Sequence, residues 1–341
     1  MSGCGEAAMA GNEAKKRLLS GIQPTGELHV GNYLGAIRKW VELQDDYESW
    51  FCVVDLHAMT VEYDTSTMGP RTVEMAKSLL ACGVDPSRSV LFVQSHVPQH
   101  SELAWILACV TPVGSLFRMT QFKDKAKAGE WSANTGLLTY PVLQAADILL
   151  YLAEAVPVGE DQVQHIELTR EIARKFNNRF GRLFPEPKAH LTRTARIKGL
   201  DGKAKMSKSL GNHVPILASP EQIASLLRPA FTDPARLRRS DPGHPEVCNV
   251  FTMHQGFTGA EEVQEIEEAC RNAAIGCVDC KKRLARNMAD SLEPVRERHE
   301  RLSDAEVVDV LREGAIRARR LASATMEAVR SRTGLLGLEF A

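Results

Sequence analysis

The stretch Gly21-Ile22-Gln23-Pro24-Thr25-Gly26-Glu27-Leu28-His29-Val30-Gly31-Asn32-Tyr33-Leu34-Gly35 decides the fold of this chain. The apolar run at residues 17–21 reads as a strand leading into it, and residues 33–44 carry helical spacing. Proline and glycine between them mark a turn. Gly31 has no side chain to keep a ligand from the backbone, and a helix start offers free N–H groups to phosphate oxygens. His29 and Asn32 can donate hydrogen bonds to an α-phosphate or its leaving group. Standing alone, the stretch is equally a glycine-rich connection between a strand and a helix.

A second stretch shifts that balance. Lys205-Met206-Ser207-Lys208-Ser209 lies in a Gly-, Ser- and Lys-rich segment, residues 202–212. An arbitrary lysine pair is most often a solvated loop. Lysine is also a flexible point charge suited to a developing pyrophosphate. Gly199, Gly202 and Gly211 give this loop the freedom to close over a nucleotide. Together the two stretches point to nucleotide chemistry.

Further strand candidates are residues 49–54, 90–94 and 156–159; helix candidates are 69–81, 101–109, 141–153 and 162–176. This alternation predicts a parallel sheet covered on both faces, with ligands at the carboxyl ends of the strands. Gln23 follows the first strand, Asp55 and His57 the second, and Gly159, Glu160 and Asp161 a later one. Beyond residue 211 the pattern turns helical, interrupted by a Pro- and charge-rich excursion at 232–247. The expected architecture is an α/β, Rossmann-like catalytic domain over 15–211 and an all-helical domain over 212–341. Residues 1–14 read as a flexible tail.

With 44% hydrophobic residues in 341, the chain can bury a sizeable core. Its 42 Lys and Arg against 43 Asp and Glu leave no global basic signature. A nucleic-acid partner must then be held by local patches, and residues 236–239, 281–286 and 317–320 are candidates. No apolar run reaches membrane-spanning length, and the N-terminus lacks a signal-peptide segment. The expected location is the cytoplasm, with no membrane partner. Eight cysteines without a secretory signal argue against a disulfide framework. Cys4, Cys52, Cys82 and Cys109 read as isolated thiols.

Five segments, GIQPTGELHVGNYLGA, DLHAMT, TYPVLQAADILLY, VPVGEDQVQHIELTREIARKFN and KMSKS, resemble the bacterial and organellar tryptophanyl-tRNA synthetases. HVGN and KMSKS stand where these class I enzymes carry their two signatures. The resemblance runs from residue 18 through 212 and weakens beyond. It implies that Gln23, Pro24, Thr25, Gly31 and Asn32 contact ATP, as do Gly159, Glu160, Asp161 and Ile197. It assigns Lys205, Met206, Ser207, Lys208 and Ser209 to the phosphates. His29, Asn32, Lys205 and Lys208 are the expected catalytic residues, with Mg²⁺ accompanying ATP. The implied reaction joins tryptophan to ATP and then passes the acyl group to tRNA(Trp). The attacking α-carboxylate is ionised at neutral pH and needs no general base.

Asp147 is the specificity clue. It lies among Leu, Ile, Ala and Val, where an ionised carboxylate costs on the order of several kcal/mol unless paired. It is either a structural aspartate held by a cap or an arginine, or an acceptor for a ligand. An indole N–H only donates, and the resemblance carries that contact onto Asp147. Gln144, one turn earlier, shares its face; the family often has methionine there. Tyr140, Ile148, Val156 and Val158 match residues that line the indole pocket. His57 and Gln162 match residues near the substrate ammonium and carboxylate. His100 and His299 read as core or surface residues.

Cys248, Cys270, Cys277 and Cys280 follow the pattern C-x21-C-x6-C-x2-C. Cys270 and Cys277 could simply share a buried helical face. Two thiolates at the spacing of Cys277 and Cys280 can also bind one metal centre. Some members of the resembled family carry a [4Fe–4S] cluster on a similar pattern. That cluster is the expected occupant, with Zn²⁺ as the alternative. The resemblance further implies a homodimer and an anticodon-binding role for the helical domain, with no DNA partner. Tyrosyl-tRNA synthetase shares the fold and both signatures, but the AADILLY and VPVGEDQ segments favour the tryptophan enzyme. Another nucleotidyltransferase is disfavoured by the basic helical domain. Intact HVGN, GEDQ and KMSKS speak against a non-catalytic RNA-binding protein.

Overall fold

The computed structural model describes residues 15–120, 134–191 and 197–336, so the expected tail lies outside it. Strands β1 (Arg17–Ile22), β2 (Glu48–Val53), β3 (Ser89–Val93), β4 (Ala155–Val158) and β5 (Lys188–Leu191) form one sheet. Their order is β3-β2-β1-β4-β5, and every pairing is parallel. The first four coincide with expected strands to within a residue at each end. β5 was not expected: it is a short edge strand, KAHL, with no buried residue to give it an apolar signal.

The strands are apolar on both faces because both are covered. Leu18, Phe51, Val53, Leu91 and Val93 bury in one layer; Leu19, Trp50, Cys52, Val90 and Phe92 bury in the other. β1 is flanked by β2 and β4, so the chain order reverses beside it and a crevice opens at the carboxyl ends.

After β1 come α1 (Val30–Asn32), a π-helical turn (Tyr33–Ile37) and α2 (Arg38–Leu43). The expected helix from residue 33 therefore starts three residues earlier and carries a π turn, a feature frequent at functional sites. Then follow α3 (Asp55–Ala58), α4 (Thr65–Ala81), α5 (Gln99–Ala108), α6 (Val113–Phe117), α7 (Thr135–Leu150) and α8 (Val163–Phe180). α7 begins well before residue 141 because Asn134 caps it, accepting from the Leu137 N–H at 2.8 Å. Pro141 is carried inside that helix.

The remaining helices are α9 (Pro220–Leu227), α10 (Asn249–Phe257), α11 (Ala260–Arg271), α12 (Cys277–Arg301) and α13 (Asp304–Thr333). The last of these returns to the sheet: Ala318, Ala322, Met326 and Val329 share a core layer with Trp50 and Phe92. Gly314 makes that approach possible, since a Cβ there would lie 1.8 Å from the Leu91 carbonyl oxygen. Arg317 donates to the Pro86 and Ser89 carbonyls, each at 3.1 Å, and Arg319 to the His96 carbonyl at 2.6 Å. Two arginines of the 317–320 cluster are thus engaged in holding α13 to the sheet. Among the described residues, no helix is long and apolar enough to cross a membrane.

Candidate active site

A cavity of about 630 Å³ opens at the carboxyl ends of β1 and β4. Gln23, His29, Gly31, Asn32, Gly159, Glu160, Asp161, Ile197, Lys205 and Met206 line it. The same cavity is lined by His57, Tyr140, Gln144, Asp147, Ile148, Val156, Val158 and Gln162. Pro24, Thr25, Ser207 and Lys208 are not among its lining residues, and the side chain of Ser209 lies outside the described set. Leu19, Gly35, Ala36, Trp40 and Pro157 also line it, and nothing in their local pattern marked them.

At the turn after β1, His29 and Asn32 form a reciprocal cap on α1. Nδ1 of His29 accepts from the Asn32 N–H, and Oδ1 of Asn32 accepts from the His29 N–H, both at 3.3 Å. Burial first, then the neighbouring His213 and Lys205 charges, push the His29 imidazole down to about 4. The ring is therefore neutral near pH 7. Because Nδ1 accepts, its hydrogen stands on Nε2. A Cβ on Gly31 would sit 3.0 Å from that Nδ1 and 3.2 Å from the Met206 Cβ, so HVGN and KMSKS meet here.

The KMSKS loop is organised by Asn212, which is buried. Its Oδ1 accepts from the Ser207 N–H at 2.8 Å, and its Nδ2 donates to Asp201 Oδ2 at 3.1 Å. Lys205 Nζ stands 3.9 Å from Asp161 Oδ2, and both side chains are well exposed. Lys208 is exposed and leans over the turn after β1: its Cδ is 3.0 Å from the Cβ position of Gly26. Two cations thus stand beside the turn that begins α1.

Asp147 is only 3% exposed, yet three side chains reach its carboxylate. Gln94 Nε2 and His100 Nδ1 reach Oδ1 at 2.7 and 2.6 Å, and His57 Nε2 reaches Oδ2 at 2.8 Å. Burial raises its pKa, but the hydrogen bonds and charges of His100 and His57 hold the carboxyl well below the usual range. It is ionised, and of roughly four lone-pair sites on a carboxylate, one on Oδ2 stays open. Among the described residues, neither a cap nor an arginine holds it. His100 is indeed a core residue, but one with a polar task. Gln94 went unread although it directly follows β3, at the same kind of strand end as Gln23.

Nearby, the Tyr140 hydroxyl meets His165 Nε2 at 2.9 Å, and the Gln144 amide faces that of Gln162 at 3.5 Å. Burial drives the Tyr140 phenol up to about 12 and the His165 imidazole down to about 4. Both are neutral at pH 7, so Asp147 is the charged group of this part of the cavity whose state is set by burial and partners.

The four cysteines lie apart from the cavity. Cys248 caps α10, Cys270 ends α11, and Cys277 and Cys280 share the first turn of α12. One nitrogen, Arg236 Nη1, reaches Cys270 Sγ at 3.8 Å and Cys277 Sγ at 3.9 Å. Burial raises the Cys248, Cys270 and Cys280 thiols; Cys280, with charge from the other three added, reaches about 12. Among the described residues, no three His, Cys, Asp or Glu groups lie close enough to hold a single metal ion. The neighbouring basic clusters are partly engaged within the fold. Arg236 donates to the Ile275 carbonyl at 2.7 Å and Lys281 to the Arg228 carbonyl at 3.0 Å.

Residues 11–293 match the family of class I tRNA synthetases of the W and Y type. The chain is 53% identical to the tryptophan–tRNA ligase of Deinococcus radiodurans and 47% identical to that of Thermotoga maritima. Each match covers 94% of this chain and 99% of the relative. The solved tryptophanyl-tRNA synthetase of Campylobacter jejuni, complexed with ADP and tryptophan, superposes with a TM-score of 0.84 at 36% identity. That superposition covers 94% of this chain and 100% of the other. The tyrosyl-tRNA synthetase of Archaeoglobus fulgidus, 22% identical with a TM-score of 0.68, shares the fold. On this sheet order and these matches, the chain belongs to the class I tRNA synthetases of the W and Y type, on their tryptophan–tRNA ligase branch.

Proposed function

We propose that this chain activates tryptophan with ATP, forming tryptophanyl-adenylate and pyrophosphate, and then transfers the tryptophanyl group to the 3′ end of tRNA(Trp). The observation that carries this reading is the buried, ionised Asp147 with one open acceptor, set in the same cavity as His29, Gly31 and Asn32, the GEDQ turn, and Lys205 and Met206. An α-carboxylate oxygen of tryptophan attacks the α-phosphorus, and the bond to the bridging oxygen of the β-phosphate breaks. No proton transfer is needed, so catalysis is positioning and charge neutralisation. Neutral His29, with Nε2–H, donates to phosphate oxygen. Asn32 steadies the His29 ring through the reciprocal cap, and Lys205 and Lys208 neutralise the leaving pyrophosphate. Mg²⁺ arrives with ATP and shields its phosphate charge.

At the other end of the cavity, the open lone pair of Asp147 receives the indole N–H. A ligand without that donor leaves the last acceptor of a buried carboxylate unsatisfied, a situation that rejects analogues by up to about 10⁴–10⁵-fold. Amino-acid-dependent ATP–pyrophosphate exchange tests this, comparing tryptophan with tyrosine. Exchange with tryptophan alone is expected. Exchange with tyrosine alone would move the chain to the sister specificity, and none with either would remove the activity.

The C-x21-C-x6-C-x2-C spacing of Cys248, Cys270, Cys277 and Cys280 supports a [4Fe–4S] cluster as the occupant of this part of the helical segment. Three of their thiols are raised by burial and mutual charge, a donor set that gains from bound iron. Iron–sulfur and Zn²⁺ centres both take cysteine thiolates, and metal analysis of the purified protein separates them. The cluster when bound supplies four Fe–S bonds that tie α10, α11 and α12 together. Anaerobically prepared protein is expected to be brown with about four irons per chain. A colourless, iron-free preparation would end this assignment.

The helical segment is the proposed anticodon platform, supported by exposed Arg238, Arg239 and Lys282 beside the cysteines. Binding of tRNA there should weaken steeply with salt. Trp105, Val113 and Phe117, exposed by 74%, 58% and 50%, support pairing with a second copy. A monomeric mass at micromolar concentration would overturn that pairing.

A further inference from the structure

Asp147 is braced by residues that do not line the cavity. His100 is fully buried, and its Nδ1 lies 2.6 Å from Asp147 Oδ1, beside the 2.7 Å bond from Gln94. On its other side, His100 Nε2 meets the Tyr151 hydroxyl at 2.9 Å. Tyr151 closes α7 one turn beyond Asp147 and is itself buried. Burial drives the Tyr151 phenol well above its usual range, so the hydroxyl stays protonated beside Nε2, while the ionised carboxylate facing Nδ1 demands a hydrogen there. The ring hydrogen of His100 then stands on Nδ1, aimed at Asp147. Gln94 is oriented in the same sense: its Oε1 accepts from the Leu56 N–H at 3.2 Å, which turns Nε2 toward Oδ1. Both lone pairs of Oδ1 are therefore filled from the protein side.

The segment that carries Gln94 and His100 is tied to α13. Arg319 Nε donates to the His96 carbonyl at 2.6 Å, and Gln99 Nε2 to Ser323 Oγ at 3.0 Å. Arg330 grips Glu102 through two bonds of 2.8 and 2.6 Å. Three side-chain contacts on α13 thus hold the residues around His100, although α13 contributes nothing to the cavity lining.

We propose that His100 is a positioning residue for amino-acid selection: by filling Oδ1 and fixing the carboxylate plane, it leaves Asp147 one oriented acceptor that only a donor such as the indole N–H satisfies. The inference rests on the tryptophan-activating reading above. A carboxylate free to rotate pairs with water or with other donors, and the demand for an N–H falls.

The test compares tryptophan with β-(benzothiophen-3-yl)alanine, which keeps the ring shape and carries sulfur in place of the N–H. Both are assayed by ATP–pyrophosphate exchange on the full chain. His100→Phe keeps an aromatic ring and removes both hydrogen bonds. It is expected to raise KM for tryptophan about 100-fold, with KM for the analogue and for ATP moving less than about threefold. His100→Asn, which returns an N–H near the Nδ1 position, should recover at least about tenfold of the lost preference. Parallel losses for the two amino acids, or an unchanged preference, would reduce His100 to a packing residue and overturn the inference. Where His100→Phe fails to fold, Tyr151→Phe decides: a folded variant should shift the preference the same way by about threefold to tenfold. An unchanged preference there overturns the inference too. Wild-type protein without tryptophan-dependent exchange would overturn the activity reading and this inference with it; only the wild type decides that case.

Discussion

Gly31 passes so close to Met206 that a Cβ on the glycine would lie 3.2 Å from the methionine Cβ. The HVGN and KMSKS segments, with Gly31 and Met206 175 positions apart in the sequence, therefore touch through a residue that has no side chain. Gly31→Ala is expected to push the His29 ring and the KMSKS loop apart. Exchange kinetics should show kcat/KM for ATP down about tenfold or more, because misplaced phosphate contacts act on the transition state. Tryptophan affinity, read by equilibrium titration, should stay near wild type.

Lys208 leans over Gly26 at the rim and is not among the residues that line the cavity with Asp147. Lys208→Ala should slow single-turnover adenylate formation about 10²–10³-fold, the usual loss for one charge-stabilising donor. Tryptophan binding should be nearly intact. Unchanged single-turnover adenylation would remove Lys208 from the catalytic set.

The His29 imidazole sits at about 4, below its unfolded value of 6.5. Folding thus favours the neutral ring. The stability this contributes is complete above pH 6.5 and is lost as pH falls toward 4. His165, lowered to about 4 by burial, behaves in the same sense. Thermal melts should show Tm falling between pH 7 and pH 4, with a smaller fall in His29→Asn. An imidazole resonance of His29 titrating near 6.5 would contradict the neutral-donor role.

Gly314 and Gly69 make a matched pair of tests. A Cβ on Gly314 would meet the Leu91 carbonyl oxygen at 1.8 Å, whereas one on Gly69 meets nothing within 4 Å. Gly314→Ala is expected to destabilise by about 1–3 kcal/mol or more, as overpacking against backbone does. Gly69→Ala, at an exposed position of α4, should be neutral or stabilise by about 0.5–1 kcal/mol. Chemical denaturation of the two variants separates these outcomes.

The charged state of Asp147 supplies a further pH test. Its depressed carboxyl adds stability above the unfolded value of about 3.9, and that stability is lost as pH falls below it. Asp147→Asn should therefore flatten the acid limb of the stability profile while abolishing selection for the indole N–H. A variant with the wild-type acid limb would mean that Asp147 is not ionised in the folded protein.

Much of this protein was legible one segment at a time. β1 to β4 announced themselves as short apolar runs, because strands buried on both faces leave no polar alternation to blur them. HVGN and KMSKS are local signals, and Asp147 stood out because a carboxylate in an apolar helix needs a reason. β5 did not show, since an edge strand of four exposed or half-buried residues buries too little to leave a pattern. The π turn in Tyr33–Ile37 did not show either, because one extra residue per turn hardly alters apolar spacing.

The sequence by itself determined the parallel sheet, the glycine-containing turn after β1, the lysine loop and the oddity of Asp147 in an apolar helix. Only the tertiary structure decided who holds that charge. His57, Gln94 and His100 reach Asp147 from 90, 53 and 47 positions away, and α13 returns to hold His96, Gln99 and Glu102 in the segment that carries two of them. Such contacts depend on how strands and helices stack in space, and a buried charge takes whichever donors that stacking brings within hydrogen-bond reach.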